Sequence, residues 1–273
     1  MKILALDTGG LVAPDAATIV AMQWDDGDDV SIVALETIQP SRQLGGELAP
    51  QLEAAIENAG WNWPQLDGLV VGLGPGSWTS LRVGVATMKT LAQTLGIPLA
   101  GVPSFDALAA AAHRILSQHE LESQPKKGKK KKAEEEIGAQ MLVTLAPCRP
   151  GEFYGKIFQR TPTYIAGAQK EWIASAKTHT DAAYSQALAD GIDAPLILCG
   201  SGTDEASTYL ASRDEEHTLV EVEAAQVAIE LAIAGAFQIA SGEVPELEEI
   251  APLYLAPSNA ERVRDARLVG SVS

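Results

Sequence analysis

The spacing of apolar and polar residues predicts an α/β chain that opens with strands and continues with helices. Three strand-like runs come first, at Ile3–Leu6, Thr18–Trp24 and Ser31–Thr37, and an acidic turn between the last two predicts a hairpin. Apolar residues at helical spacing over Glu47–Ala59 then precede a fourth buried strand at Leu69–Leu73. The first part of the chain therefore predicts a sheet covered by helices.

The most regular helical pattern follows the fourth strand. Apolar residues recur at intervals of three and four from 81 to 95, Thr79 or Ser80 is the expected N-cap, and Gly96 is the expected stop. A short strand at 99–102 comes next. Strand, helix and strand in this order predict a right-handed β-α-β crossover on a partly parallel sheet.

The same order of elements recurs in the second half of the chain. Ser104 is expected to cap a helix that ends near Leu116, and further strands and helices follow the charged segment beyond it. The predicted strands are 141–145, 153–159 and 196–199, and the predicted helices are 182–188, 203–210 and 224–241. The repetition predicts a duplicated α/β architecture.

Charge and sequence complexity divide the chain. Residues 117–138 hold six lysines followed by three glutamates and almost nothing to bury, so we interpret them as a solvated surface insertion rather than an RNA-binding arm. The predicted organisation is a first half at 1–116, this insertion, a second half at 139–250 and a C-terminal tail at 251–273.

Bulk composition narrows the function classes. The net charge is −16, whereas a nucleic-acid binder that acts alone is normally basic, so a partner is expected to neutralise most of the phosphates in any contact with RNA. The two cysteines, Cys148 and Cys199, form no metal-binding or disulfide pattern. The apolar stretch 224–240 carries Glu230 and falls short of a membrane span, so we expect a soluble, cytoplasmic protein without a membrane partner.

The turn at 72–77 could cradle a phosphate. It fails the dinucleotide pattern, because serine replaces the last glycine, and it lacks the lysine of a P-loop. Gly74, Gly76 and Ser77 still permit close backbone approach at a helix N-terminus. Arg82 could add a charged fork to a bound anion or could pair with a nearby carboxylate at the surface. A tight strand-to-helix connection explains the same residues equally well.

A second candidate is the turn Asp7-Thr8-Gly9 at the end of the first strand, where a carboxylate could hold magnesium beside nucleotide phosphates. The four histidines show no paired metal motif, and no serine or cysteine lies in a nucleophile motif. We therefore expect no intrinsic metal site and no catalytic residue, and a peptidase has no support. An actin-like phosphotransferase or ATPase that uses Asp7 is the alternative.

The run "GPGSWTSLRVGVATMKTLAQTLGIPLAGVPSFDALA" at 74–109 closely resembles the corresponding segment of the TsaB (YeaZ) family. The segments "ILALDTGG", "LVVGLGPG", "CGSG" and "PLYLAP" extend the resemblance over nearly the whole chain. It implies an actin-like fold of two ribonuclease-H-like halves, with mixed sheets flanked by helices.

The resemblance also implies a non-catalytic scaffold that supports TsaD, together with TsaE, in transferring a threonylcarbamoyl group from threonylcarbamoyl-adenylate to the adenosine beside the tRNA anticodon. The implied partners are homologues of TsaD and TsaE, and tRNA would be contacted through the complex. The resemblance also allows the isolated chain to form a homodimer. The implied cofactor, if any, is ATP or ADP with magnesium at the partner interface. Pro147 and Ala256 depart from the family pattern and weaken intrinsic catalysis, since Pro147 replaces a second carboxylate.

Two helices carry the interface that the resemblance implies, the one at 47–59 and the one at 79–95. Their apolar and small residues would pack against the partner's equivalent helices. The predicted interface residues are Leu48, Leu52, Ala55, Leu81, Val85, Ala86, Met88, Lys89 and Ala92.

Overall fold

The first sheet of the computed structural model contains five strands. The structure describes residues 1–12, 16–25, 30–38, 44–123 and 138–255. The order in the sheet is β3-β2-β1-β4-β5; β1, β2 and β3 are antiparallel neighbours, and β4 and β5 run parallel to β1. The strands are β1 (Lys2–Asp7), β2 (Ala17–Trp24), β3 (Val30–Ile38), β4 (Gly68–Gly72) and β5 (Leu99–Val102). The predicted hairpin and the parallel pairing around the long helix are confirmed.

Three helices belong to this part of the chain: α1 (Leu44–Asn58), α2 (Trp78–Leu95) and α3 (Ser104–Glu122). Gly96 ends α2 in the left-handed conformation, as predicted. The predicted N-cap of α2 was wrong, because the cap position is held by Ser77, two residues before Thr79 and three before Ser80, with no capping side-chain hydrogen bond. The predicted start and end of α3 were also wrong, since Pro103 is its N-cap and the helix passes Leu116.

The second sheet has the order β11-β10-β6-β7-β8, with β9 also paired to β7. Its strands are β6 (Gln140–Arg149), β7 (Glu152–Arg160), β8 (Ile165–Gly167), β9 (Trp172–Ala174), β10 (Leu196–Cys199) and β11 (His217–Val220). The accompanying helices are α4 (Ala176–Ala189), α5 (Thr203–Ala211) and α6 (Ala224–Ser241).

The strand order is the same in both sheets. In each, the first strand lies in the middle, an antiparallel meander extends from one side of it, and two parallel strands lie on the other side. The repetition confirms the predicted α/β class of two mixed sheets flanked by helices, and with it the duplicated architecture.

Two helices lie between the sheets, and each packs on the sheet of the other half. Helix α6, from late in the chain, packs on β1, β4 and β5, whereas α3 packs on the second sheet and against α6. Arg114 of α3 forms a bidentate ion pair with Glu230 of α6. Helices α1 and α2 cover the outer face of the first sheet, and α4 and α5 cover the outer face of the second.

Helix α6 satisfies the length and composition of a membrane span, with a mean hydropathy of 1.4 over 18 residues, although its sequence was expected to fall short. Core helices of soluble proteins pass the same test. Here Val227, Leu231 and Ala236 of α6 belong to the core between the two sheets, and Glu230 is neutralised by Arg114. In this fold α6 is a core helix.

Candidate functional site between the two halves

The ends of the central strands meet in a cleft between the two sheets. Parallel neighbours end at the same edge of a sheet, so the turns after β1 and β4 lie together. In the cleft they meet Ala146 and Pro147 of β6 and Ser201 in the turn after β10. The cleft encloses about 260 Å³. Its lining residues are Gly9, Gly10, Leu11, Gly76, Ser77, Ala146, Pro147 and Ser201.

Asp7 lies beneath this cleft and is almost fully buried, with 8% of its surface exposed. One carboxylate oxygen accepts hydrogen bonds from the Gly9 amide and the Ser104 hydroxyl, both at 3.1 Å. Burial raises the pKa of Asp7, and these hydrogen bonds oppose the increase. The carboxylate therefore connects β1 to the start of α3, and its hydrogen bonds are directed into the protein.

Ser104 is central to this arrangement, although the sequence suggested only a helix cap. Its hydroxyl donates to Asp7 and accepts from the Gly74 amide at 3.2 Å, while its own amide donates to the Gly74 carbonyl at 2.8 Å. Ser104 follows β5, whose carboxyl end lies at the same sheet edge as Asp7. That position after a parallel strand was the signal that could have identified it.

The glycines of the turn allow backbone segments to approach closely. A Cβ atom on Gly76 would lie 1.9 Å from the Gly9 carbonyl oxygen, and one on Gly72 would lie 2.3 Å from the Asp7 carboxylate. Gly74 has a φ of +88°, which residues with a side chain rarely adopt. The glycine pattern is thus explained by packing of the chain on itself.

The two halves are joined directly across the cleft. The backbone amide and the hydroxyl of Ser201, in the turn after β10, donate to the Leu11 carbonyl at 3.1 and 2.5 Å. On the second sheet, the Gly202 amide donates to the Leu145 carbonyl at 3.1 Å. Sequence analysis identified this glycine turn but not its role as a link between the halves.

Thr8 points away from the cleft. Its side chain is fully buried, and a Cβ atom on Gly84 of α2 would lie 2.5 Å from its hydroxyl oxygen. That hydroxyl has no hydrogen-bond partner among the described residues. Thr8 therefore packs against α2, with Gly84 as the residue that makes room for it.

Arg82 is not among the residues that line the cleft, and its role in anion binding stays a prediction. Its guanidinium group lies 4.3 Å from the ring centre of Trp78, and its Nε donates to the Tyr254 hydroxyl at 3.1 Å. The rings of Trp78 and Tyr254 are 4.3 Å apart, and the Leu253 amide donates to the Leu73 carbonyl at 2.8 Å. Arg82 holds the C-terminal segment on α2; sequence analysis missed the roles of Trp78 and Tyr254.

Most of the predicted interface residues are buried within this chain. They are at most 4% exposed, so they do not form the surface of these helices, and all except Leu81 belong to the core between the outer helices and the first sheet. These residues are Leu48, Leu52, Ala55, Leu81, Val85, Met88 and Ala92. Ala86 is exposed, and Lys89 is half-buried, with its ammonium group donating to the Ile250 carbonyl at 3.0 Å.

The cleft residues do not fit a magnesium nucleotide. Pro147 occupies the position expected for a second carboxylate, and the lining residues include no cationic side chain. The volume also lies below the roughly 300–1,000 Å³ of typical ligand pockets. Within the described ranges, no three His, Cys, Asp or Glu side chains are grouped so that they could hold a metal ion.

Comparison with known proteins supports the TsaB resemblance. Residues 39–124 match the family model of TsaD, tRNA N6-adenosine threonylcarbamoyltransferase. The chain is 29% identical to the tRNA threonylcarbamoyladenosine biosynthesis protein TsaB of Escherichia coli over 160 residues, which is 59% of this chain and 56% of that protein. An uncharacterised protein of Mycobacterium leprae is 39% identical over 106 residues, covering 39% of this chain and 28% of that protein.

These alignments cover about half or less of the relatives' own lengths. The structural similarity is more complete. YeaZ from Pseudomonas aeruginosa matches with a TM-score of 0.62 at 21% identity, over 93% of this chain and 99% of that structure. The predicted resemblance to TsaB (YeaZ) is confirmed, and the structural match shows that the chain has the YeaZ fold.

Proposed function

We propose that this chain is a non-catalytic subunit of the machinery that makes threonylcarbamoyladenosine in tRNA, and that it supports a TsaD homologue there. The similarity to TsaB, a tRNA threonylcarbamoyladenosine biosynthesis protein, supports a role of this chain in that pathway. The observation that carries the accessory role is the cleft, where Pro147 stands at the position expected for a second carboxylate. The remaining carboxylate, Asp7, is buried and accepts hydrogen bonds from the Gly9 amide and the Ser104 hydroxyl. The group transfer is therefore assigned to the partner.

Two other reactive groups of the chain, a cysteine and a histidine, support the same assignment. The Cys199 thiol is fully buried in the second sheet, and burial raises its pKa. The His179 ring is buried beside Trp172, and its Nε2 hydrogen bonds to the Phe153 carbonyl. Neither group can reach a substrate.

The outer faces of α1 and α2 are the surface that we assign to the TsaD homologue. The buried faces of α1 and α2 pack on the first sheet of this chain. On their outer faces, Ala49, Ala86 and Thr90 are exposed and small enough to permit close contact with a partner helix. With a net charge of −16, the chain is expected to reach tRNA through the complex, in the cytoplasm, with a TsaE homologue as the further partner.

The tRNA nucleosides of a strain that lacks this chain test the proposal. We expect threonylcarbamoyladenosine to be lost and to be restored by the wild-type gene, and the TsaD homologue to copurify with the chain. Retention of the modification in the deletion strain would contradict the proposed function.

Substitution of an exposed alanine tests the docking face. Ala86→Arg should weaken association with the TsaD homologue, because it places a long charged side chain on the outer face of α2. Ala189→Arg, at an exposed position in the last turn of α4, is the matched control. Equal association of both variants would argue against this face.

The alternative function, a phosphotransferase or ATPase that uses Asp7, predicts turnover of ATP with magnesium by the isolated chain. We expect calorimetry to detect none, because the cleft provides one buried carboxylate and no cationic side chain. Turnover that disappears in Asp7→Ala would replace the accessory role with an enzymatic one.

A further inference from the structure

Arg82 lacks the carboxylate partner that the other described arginines have. The chain holds 36 aspartates and glutamates against 20 lysines and arginines, so carboxylates are plentiful. Arg82 is exposed, and it forms no ion pair with any residue in the described ranges. The ion pairs of the other described arginines are Arg114–Glu230, Arg149–Glu152, Arg160–Glu120 and Arg213–Asp181. An exposed cation on an acidic chain is thus left without a counter-charge in this part of the structure.

The guanidinium group of Arg82 is nevertheless held in place. Its central carbon lies 4.3 Å from the ring centre of Trp78 and 5.5 Å from that of Tyr254, and its Nε donates to the Tyr254 hydroxyl at 3.1 Å. We call these three residues the Arg82 cluster. Among the described residues, nothing accepts a hydrogen bond from the two terminal nitrogens of Arg82. Terminal guanidinium nitrogens are the donors that a carboxylate accepts in pairs.

The segment after α6 fixes the position of Tyr254. Ile250 is 3% exposed in the core beneath the outer helices, and the Leu253 amide donates to the Leu73 carbonyl at 2.8 Å. Tyr254 itself is 46% exposed, and its ring centre lies 4.3 Å from that of Trp78. A cluster that is ordered before binding loses little side-chain freedom when a partner docks.

The Arg82 cluster is continuous with the outer face of α2. Arg82, Ala86 and Thr90 follow one another at intervals of four residues, so they lie on the same side of the helix, and all three are exposed. Tryptophan, tyrosine and arginine are enriched among the residues that dominate binding energy at protein interfaces. The face assigned to the TsaD homologue therefore has such residues at one end and small residues along the rest.

The surrounding charge favours a protein carboxylate over nucleic acid as the ligand of this cluster. Glu246, Glu248 and Glu249 of the segment after α6 are exposed. The Glu248 carbonyl accepts from the Lys89 ammonium at 3.5 Å, and Lys89 lies about 10 Å along α2 from Arg82. An extended polyanion such as tRNA would be repelled by these carboxylates and by the net charge of −16. A single side chain of a folded partner can reach Arg82 without approaching them.

We propose that the Arg82 cluster anchors the TsaD homologue through an aspartate or glutamate of that partner. The carboxylate accepts hydrogen bonds from the terminal nitrogens of Arg82, and the partner surface around it packs on the exposed parts of Trp78 and Tyr254. Removal of one member of a charge pair that becomes shielded from water weakens a complex strongly. This inference rests on the proposed function and adds to it the anchoring residues and the chemical group that they bind.

Titration of the full chain with the TsaD homologue tests the anchor. Arg82→Gln removes the charge but keeps a polar side chain, and it should raise the dissociation constant at least about tenfold. Arg213→Gln is the matched control, because Arg213 is also exposed and donates to a tyrosine hydroxyl, that of Tyr209 at 2.8 Å, but is paired with Asp181. Circular dichroism should confirm that both variants are folded.

The possible results separate the anchor from the proposed function. A wild type that binds the TsaD homologue, with Arg82→Gln binding equally well, would overturn the anchor and leave the accessory role intact. A wild type that does not bind it would overturn both. Unchanged binding of the TsaD homologue by Arg82→Gln, together with weaker binding of tRNA, would show that the cluster serves nucleic acid and would overturn the proposal.

Carbodiimide cross-linking of the complex identifies the partner group directly. Arg82→Lys keeps the positive charge and supplies an amine, which the reagent joins to an adjacent carboxylate as an amide. Mass spectrometry should find residue 82 joined to an aspartate or glutamate of the TsaD homologue. Arg213→Lys should instead be joined to Asp181 or Glu215 of its own chain, the present partners of Arg213. A complex in which residue 82 is joined to no carboxylate of the TsaD homologue would overturn the proposal.

Discussion

The two halves of the molecule build the same turn with different chemistry. In the first half, the glycine turn after β4 lies against the end of β1, where Asp7 is held by Ser104. In the second half, the glycine turn after β10 lies against the end of β6, where the nearby residue is Pro147. The backbone arrangement is repeated, and the carboxylate is present once.

The difference shows which feature the fold needs. A Cβ atom on Gly200 would lie 2.2 Å from the Leu145 carbonyl oxygen, which repeats the close approach of Gly76 to the Gly9 carbonyl. Close backbone contact is therefore common to both halves, with or without a carboxylate. Glycines at the ends of parallel strands are here a requirement of packing, and they do not by themselves indicate a phosphate site.

The largest expected loss of stability comes from adding a side chain at these close backbone contacts. Gly76→Ala and Gly200→Ala should each lower the free energy of unfolding by about 3 kcal/mol, because the new methyl group meets a backbone carbonyl that cannot move aside. Chemical denaturation measures both variants. Gly46→Ala, in α1 with open space around it, is the control and should stabilise by up to about 1 kcal/mol. If only one of the two variants is destabilised, the close backbone contact is not needed equally in both halves.

The strands and helices of this chain were more predictable from the sequence than the contacts between them. Apolar periodicity located β1 to β5 and the long helices, because each buries one continuous face. It missed the short strands β8, β9 and β11, of three or four residues, whose pairing depends on neighbours distant in sequence. It also could not show that α3 and α6 each pack on the other half's sheet.

The site was only partly predictable for the same reason. Asp7, Gly9, Gly76 and Ser77 were found because strand ends and glycines are visible in a sequence. The contact of Arg82 with Tyr254 could not be predicted, since it joins residues 172 positions apart. The burial of most predicted interface residues could not be foreseen, because an apolar helical stripe looks the same whether it packs on the chain's own sheet or on a partner.

Loss of the Ser104 hydroxyl should have the next largest effect and is specific to the first half. Ser104→Ala removes a hydrogen bond to the buried Asp7 carboxylate and leaves the Gly74 amide without its partner. We expect a loss of about 2 kcal/mol in the free energy of unfolding. Ser185→Ala, at an exposed position in α4, should be near neutral by the same measurement. Equal effects would mean that the Asp7 network contributes little.

The Asp7 charge should have a smaller effect that depends on pH. Burial raises the pKa of Asp7 in the folded protein, so its contribution to stability is full below the unfolded pKa and is lost as pH rises through the folded pKa. Asp7→Asn keeps an oxygen acceptor without the charge and should be more stable than the wild type at pH 7. The difference should vanish as pH falls toward about 3.9, the ordinary aspartate value.

Parallel denaturation curves from pH 3 to pH 7 measure this difference. The accessory role also predicts that Asp7→Asn restores threonylcarbamoyladenosine in the deletion strain as well as the wild type does. A stable Asp7→Asn protein that fails to restore it would show that the carboxylate has a chemical role, and that the halves differ in function as well as in sequence.

The smallest expected effect is at Arg82, and it decides whether the first-half turn binds anions. Arg82→Lys loses the planar stacking on Trp78 and the Nε hydrogen bond to Tyr254, at an exposed site where such contacts contribute about 0.5–1 kcal/mol. Global stability should change little, but hydrogen exchange at the Leu253 amide should accelerate, because that amide is bonded to the Leu73 carbonyl beneath the same cluster. Tyr254→Phe, which keeps the ring, should accelerate it less. Unchanged exchange in Arg82→Lys, together with weaker binding of inorganic phosphate, would show that Arg82 binds anions. The glycine turn of the first half would then have a function that the turn of the second half lacks.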